Sequence, residues 1–315
     1  MLNLMHFFIT RFSVRCKDTF NVIDGPTFLR NSDPLDPERL NLRFKLFEFS
    51  CLPAVIGQTD QRFVWIILVD RDLPERFHRR LLALTRLRDR SFIHVVDSSE
   101  NLAGVQWLRR YAPGEGHFVT TNLDDDDCIP TSFVATLRRN LAAMDQRSAL
   151  PPIGIVGAVN ALEWDLAPSA AAPLGWKSPW HRGRWMMSVG FSLHCRVPEF
   201  DVSMLGLRHT LAERYFDFAR APANRNTAWF QRTVVQSAKT HRLDPREWDP
   251  ASLLLDISTS TGPVLMLNHV GNDQATRLLE PKARRVPVSG GGDFPAFAID
   301  WPKAGAYFDT LKHLA

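Results

Sequence analysis

The chain has 315 residues, 45% of them hydrophobic, with 38 Lys and Arg against 34 Asp and Glu. That apolar content can bury a sizeable core in one large domain or two closely packed halves, which excludes a disordered or fibrous protein. A net charge of +4 over this length is too weak to mark a nucleic-acid binder, and no run of about 18 uncharged apolar residues offers a membrane-spanning helix.

The opening MLNLMHFFITRFSVRC has no charged leader region and meets Arg11 after a short apolar run, so it reads as a first strand, not a signal peptide. A soluble cytoplasmic protein is expected, with the mildly basic surface allowing peripheral association with the inner face of a membrane. Cys16, Cys51, Cys128 and Cys195 show no Cys-x-x-Cys spacing, so they predict neither a zinc knuckle nor a disulfide framework but reduced, structural thiols.

Strand-like runs then alternate with amphipathic stretches, the pattern of an α/β fold with a mostly parallel sheet flanked by helices. Strands are predicted over 5–12, 63–70, 92–97 and 117–123, with helices over 37–52, 74–87 and 102–111 between them. In open α/β sheets ligands bind beyond the carboxyl ends of the strands, which groups Asp70, Asp97 and Asp124 to Asp127 along one edge. Pro130 and Thr131 open a further helix to about Met144, its positive end facing the same crevice. Ile153 to Val159 reads as one more strand. The texture then changes to an irregular half, about 151–280, in which Trp164, Trp176, Trp180 and Trp185 stand among prolines and glycines. Residues 281–315 read as a flexible link and a small C-terminal element.

Four adjacent aspartates repel one another, and holding them at a strand end requires a compensating cation, water or hydrogen bonds. Hard carboxylate oxygens favour Mg²⁺ or Mn²⁺. If the run continues the strand, Asp124 and Asp126 share one face and Asp125 and Asp127 the other, so that one pair holds metal and ribose while the other caps the next helix. A solvated acidic loop is the plain alternative. The apolar strand before the run and the helix after it favour the metal site.

TTNLDDDDCI resembles the Asp-x-Asp segment of GT-A glycosyltransferases. Together with FITRFSV and RFKLFEFSCLPAVIGQTDQRFVWIILVDRDLP it resembles a rhamnosyltransferase family of bacteria over roughly residues 5–145. The resemblance implies a GT-A-like, Rossmann-type sheet in which the first half, 1–150, binds a nucleoside-diphosphate sugar and the aromatic-rich second half binds the acceptor. It implies that Asp124 contacts ribose or a metal-bound water, that Asp126 ligates Mn²⁺ or Mg²⁺, and that Asp127 supports the metal or approaches the donor sugar. Asp125 fills the x position of the motif, so which pair binds stays open. By position, Thr10 and Arg11 match the nucleotide site and Asp70 the base site, although Arg11 also reads as a surface residue and Asp70 as a turn former.

A late histidine completes the metal sphere in many GT-A enzymes, and His269, after the apolar run VLMLN, is the candidate here; His194 and His209 have less support. For the acceptor base Glu163, Asp165 and Asp201 are available, none tied to the crevice by spacing. The tryptophans read equally as a sugar platform or as core. Trp229-Phe230-Gln231 resembles an acceptor-side segment of the family. Lys177, Arg182 and Arg184 are basic residues placed to neutralise a leaving diphosphate or simply to cover surface.

The expected function is metal-dependent transfer of a hexosyl or deoxyhexosyl group, rhamnose by resemblance, to a hydroxyl of a glycan, lipid-linked or protein acceptor in surface-glycan synthesis. A phosphohydrolase or nucleotidyltransferase on a similar sheet, and a non-catalytic binding scaffold, are the rival readings.

Overall fold

Long apolar runs in this chain become strands covered on both faces. The computed structural model describes residues 2–15, 33–97, 100, 102–158, 160–181, 188–206, 254–269 and 285–312. Within them β1 (Leu4–Phe12), β2 (Val64–Val69), β3 (Ser91–Val95), β4 (Gly116–Asn122), β5 (Ile153–Gly157), β8 (Ser192–Val197) and β9 (Leu254–Asp256) form a seven-stranded sheet ordered β3-β2-β1-β4-β8-β5-β9. β8 alone runs against the others, so β3, β2, β1 and β4 all present their carboxyl ends to one edge. β6 (Asn160–Asp165), β7 (Trp176–His181), β10 (Val264–Asn268) and β11 (Val286–Pro287) make a second sheet ordered β10-β6-β7-β11.

Strand alternation splits the core of the large sheet in two. On one face Phe8, Phe12, Trp65 and Ile67 meet α1 (Pro37–Phe49), α2 (Cys51–Ile56), α3 (Glu75–Thr85) and α4 (Phe133–Gln146) through Phe44, Phe47, Val55, Phe77, Leu81 and Leu137. On the other, Phe7, Ile9, Ile66 and Leu68 meet Trp107, Leu108, Phe200 and Met204. Asp36 caps α1, its carboxylate accepting from the N–H groups of Glu38 and Arg39 within the first turn that Pro37 opens.

Three expected helices differ in detail. The 37–52 helix breaks at Ser50, whose hydroxyl bonds back to the Leu46 carbonyl at 2.6 Å, and a separate short helix follows. The 102–111 stretch is only a 3₁₀ turn, Gln106–Arg110. The helix after the aspartates starts at Phe133 rather than Pro130, because Thr131 is committed elsewhere: its N–H donates to Ala296 and its carbonyl accepts from Thr59.

Residues 285–312 join the main core instead of trailing from it. Val286 and Pro287 pair with β7, and α5 (Trp301–Lys312) packs on α1, with Tyr307 against Phe49 at 5.5 Å between ring centroids. Asp293 anchors the preceding turn by accepting from the N–H groups of Ser289 and Gly290 and from Lys177. Trp164 is fully buried among Phe49, Phe294, Trp301 and Phe308, so core packing and not a sugar platform accounts for it. Trp176 is half-buried. The Trp180 side chain, Trp185, Arg182, Arg184, His209 and the Trp229-Phe230-Gln231 segment lie outside what is described.

Cys51, Cys128 and Cys195 are buried free thiols, and Cys16 lies outside the described residues. No helix among the described residues is long and apolar enough to cross a membrane.

Two buried histidines give the fold a pH dependence. Burial lowers the pKa of His6 and of His194 to about 3, helped by Arg138 in the first case and by His117 in the second. An unfolded imidazole titrates near 6.5, so the unfolded state binds protons first as pH falls. Stability contributed by these neutral rings is complete above 6.5 and declines by about 1.4 kcal/mol per pH unit for each ring on the way down to about 3. Urea unfolding at pH 7 and at pH 4.5 is expected to show a clearly lower midpoint at the acid pH; identical midpoints contradict this account.

Candidate functional site

The parallel strands set the site's edge by register. Phe12 lies level with Val69, and Val69 with Val95, while β4 stops lower, Asn122 being level with Ile9. Leu123 still donates to the Ile9 carbonyl at 3.2 Å, so the chain leaving β4 passes beside Arg11. The aspartates follow in a turn closed by the Asp127 N–H on the Asp124 carbonyl at 3.2 Å. The two-and-two alternation expected of a continuing strand therefore does not hold. None of the four caps the next helix either, since α4 begins only at Phe133.

Each aspartate has a different partner. Asp124 accepts from the Arg11 guanidinium at 3.0 Å, with the Arg11 side chain 38% exposed in the crevice. Asp125 and Asp126 share Arg43 of α1. Its Nε donates to Asp125 Oδ2 at 3.0 Å, its Nη2 faces the other oxygen of that carboxylate, and its Nη1 donates to Asp126 Oδ2 at 3.0 Å. Asp127 Oδ1 accepts the Leu267 N–H at 3.3 Å.

That last bond belongs to a docking of β10 against the turn. Cys128 and Leu265 exchange both backbone hydrogen bonds at 3.0 Å, which brings the end of β10 over the aspartates. His269, the next residue after β10, thereby sits with Nε2 2.8 Å from Asp126 Oδ2 and fully buried. Residues 126 and 269 are thus brought together by tertiary structure alone.

The electrostatics distinguish the neighbours. Burial by itself would raise the Asp126 carboxyl, but Arg43 and then the hydrogen bond to His269 outweigh it and hold the group ionised well below the usual carboxylate range. Asp127 goes the other way: burial, reinforced by the charges of Asp126 and Asp124, pushes its carboxyl well up. Burial also lowers the His269 imidazole despite Asp126, with Arg43 and Arg39 contributing in the same direction. With Asp126 ionised and His269 neutral, Nε2 carries the proton and donates it to Oδ2.

The other expected site residues separate into those near this centre and those away from it. Thr10 is not placed to meet a nucleotide: it is fully buried on the α1 face, where its hydroxyl accepts the Trp65 indole N–H at 3.0 Å. Asp70 is a turn former, accepting the Asp72 N–H and the Arg15 N–H at 2.9 Å each. Burial opposes ionisation of Asp70, yet these two N–H groups and the Arg15 guanidinium keep its pKa lowered. Asp201 is not brought to the site. It follows β8, whose last residue pairs with Gly116 at the start of β4, and its carboxylate accepts the Val105 N–H at 2.7 Å. His194 lies toward that far end too, 2.8 Å from His117. Lys177 is engaged by Asp293. Glu163 is buried on the polar face of β6, between Met266 and Ser178 in register. Asp165, two residues on, is level with Asn268 and accepts its amide N–H at 2.8 Å, one residue from His269.

Arg43 is the functional residue that sequence reasoning missed. A signal existed: Arg39 and Arg43 stand four apart on one side of a helix, in a chain whose four adjacent aspartates call for compensation by a cation, water or hydrogen bonds.

Residues 5–155 match the family described as "Putative rhamnosyl transferase". No curated protein gives a significant match. Among solved structures, TarS 1-349 of S. aureus aligns at 12% identity and a TM-score of 0.31, covering 74% of this chain and 55% of that one. This chain therefore spans about half the length of that relative. The inositol-1-phosphate CTP transferase of T. maritima aligns at 9% identity and a TM-score of 0.25, over 89% of this chain and 96% of that one. Mouse xyloside xylosyltransferase 1, apo form, aligns at 13% identity and 0.27, over 79% and 80%. At these scores none of the three bears on substrate or mechanism.

Because Arg43 compensates two buried carboxylates at once, Arg43→Met is expected to destabilise the protein by about 3 kcal/mol or more, the cost of leaving buried charge unpaired. Arg43→Lys should recover part of that but not all, since an ammonium cannot span both acids as the fork does. Urea titrations of the two variants read the difference.

Proposed function

We propose that this site takes a nucleoside-diphosphate sugar and delivers the sugar to an acceptor hydroxyl with the help of Mn²⁺ or Mg²⁺, a reading supported by the match of residues 5–155 to the family described as "Putative rhamnosyl transferase". The observation that carries the reading is the meeting of Asp126 and His269 at the carboxyl edge of the parallel strands, with Arg11 beside them.

The donor set suits the ion. A carboxylate oxygen and an imidazole nitrogen are groups that Mn²⁺ accepts together, and Oδ2 of Asp126 and Nε2 of His269 now share the proton that a metal would displace. Among the described residues no three His, Cys, Asp or Glu side chains form a ready cage. Such ions commonly complete their shells with substrate phosphates and water. When bound, the ion supplies positive charge to offset what develops on the departing diphosphate.

The chain's own residues do the remaining work in this reading. Arg43 holds Asp125 and Asp126 in position from behind, and the exposed Arg11 reaches the crevice where a diphosphate would lie. Asp124, at the crevice and 28% exposed, is placed for ribose or a metal-bound water. Asp127, buried and tied to Leu267, supports the turn more naturally than it approaches a sugar. For the acceptor base, Glu163 and Asp165 stand on the face of β6 whose partner strand leads into His269. Rhamnose as the sugar, and a glycan, lipid-linked or protein acceptor, belong to the same proposal.

Calorimetry with UDP, GDP and dTDP, with and without Mn²⁺, tests it. One of these nucleotides is expected to bind in a Mn²⁺-dependent manner, and Asp126→Asn or His269→Ala should weaken that binding by at least about 10-fold. Metal-independent binding, or wild-type affinity in both variants, refutes the assignment. Thr10→Val is expected to lower thermal stability, by stranding the Trp65 N–H, while leaving nucleotide affinity unchanged.

A further inference from the structure

Between residues 71 and 90 the chain carries seven arginines against three acids, an excess as large as that of the whole molecule. This stretch comprises α3 and the turn after it. Phe77, Leu81 and Thr85 turn inward, so Arg76, Arg79, Leu82, Ala83 and Arg86 face outward at helical spacing. Leu87 in the turn is 62% exposed, the most exposed large hydrophobic side chain among the described residues, and Leu82 is 37% exposed.

The neighbouring acids do not quench this charge. Arg71 pairs with Asp97 and Arg80 with Glu48, and Arg79 meets Glu75 only through a solvent-exposed helical pair, a contact of small energy. Arg76, Arg86 and Arg90 are exposed and have no carboxylate partner among the described residues. The adjoining strand β3 is the outermost of its sheet and leaves Val95 49% exposed.

We propose that this corner is a docking surface for an anionic lipid bilayer. Guanidinium groups flanking exposed leucines match such a surface in both its parts: the arginines meet lipid phosphates, and Leu82 and Leu87 enter the boundary between headgroups and acyl chains. A soluble polyanion satisfies the arginines but leaves the leucines in water, which is why the bilayer is the better fit. The proposal is independent of the sugar-transfer reading, since none of these residues touches the aspartate turn.

Vesicle flotation with the full chain decides it. The protein is expected to float with vesicles of phosphatidylglycerol and phosphatidylcholine, to remain behind with pure phosphatidylcholine, and to be released as salt is raised. The triple substitution Arg76→Glu, Arg86→Glu, Arg90→Glu should lower the bound fraction at least about 10-fold. Leu82→Ser with Leu87→Ser should weaken binding at unchanged charge, and all positions being exposed, nucleotide binding should persist in both variants. Absence of flotation with anionic vesicles, binding indifferent to charge reversal, or retention on heparin without flotation each overturns the proposal.

Discussion

Arg43 between Asp125 and Asp126 is the contact on which the arrangement of this site rests. Four consecutive carboxylates at a strand end would drive the local chain apart, and three of them, Asp125, Asp126 and Asp127, are almost without solvent. A single guanidinium can face both because its fork presents several N–H groups in one plane. With Asp125 and Asp126 held from the α1 side, Asp126 can turn an oxygen toward His269, and Asp127 can accept from β10. The cation that the acidic run demands is thus partly internal, and a divalent ion would add to that balance instead of supplying all of it.

The same contact explains why the two sheets cooperate. β10 is buried along its whole length and pairs with β6, yet it also clips its backbone to Cys128 just past the aspartates. The turn is therefore gripped from three directions: by its own strand β4, by α1 through Arg43, and by β10 through Leu265, Leu267 and His269. Around it α5 closes the structure, bringing Tyr307 close enough for the charges of Asp126 and Arg43 to act on its phenol. Rigid support of this kind keeps a ligand pair in place better than loops alone.

Most of the large sheet was legible from residue pattern. VWIILV suits a strand covered on both sides, and the alternation of such runs with helical stretches implied parallel strands sharing a carboxyl edge. Finer features were not. Ser50 breaks a helix through a hydrogen bond that propensity does not weigh, and Thr131 is withheld from α4 by partners more than 70 residues away in one direction and more than 160 in the other. Thr10 shows the limit in a single residue: its place near the end of β1 was readable, but strand alternation and Trp65 decide that it points into the core while Arg11 points to the crevice.

The sequence alone determined that an acidic run would follow an apolar strand and precede a helix, and that a cation, water or hydrogen bonds would have to answer it, because like charges in succession repel one another. It also placed His269 just after an apolar run, at a strand end or in a loop. Only the tertiary structure decided that Arg43 is the answering cation, that His269 belongs to Asp126, and that Asp201 faces the opposite end of the sheet. Those outcomes depend on strand order and on the docking of one sheet against another, contacts between residues 82 to 143 positions apart, and local pattern carries no information at that range.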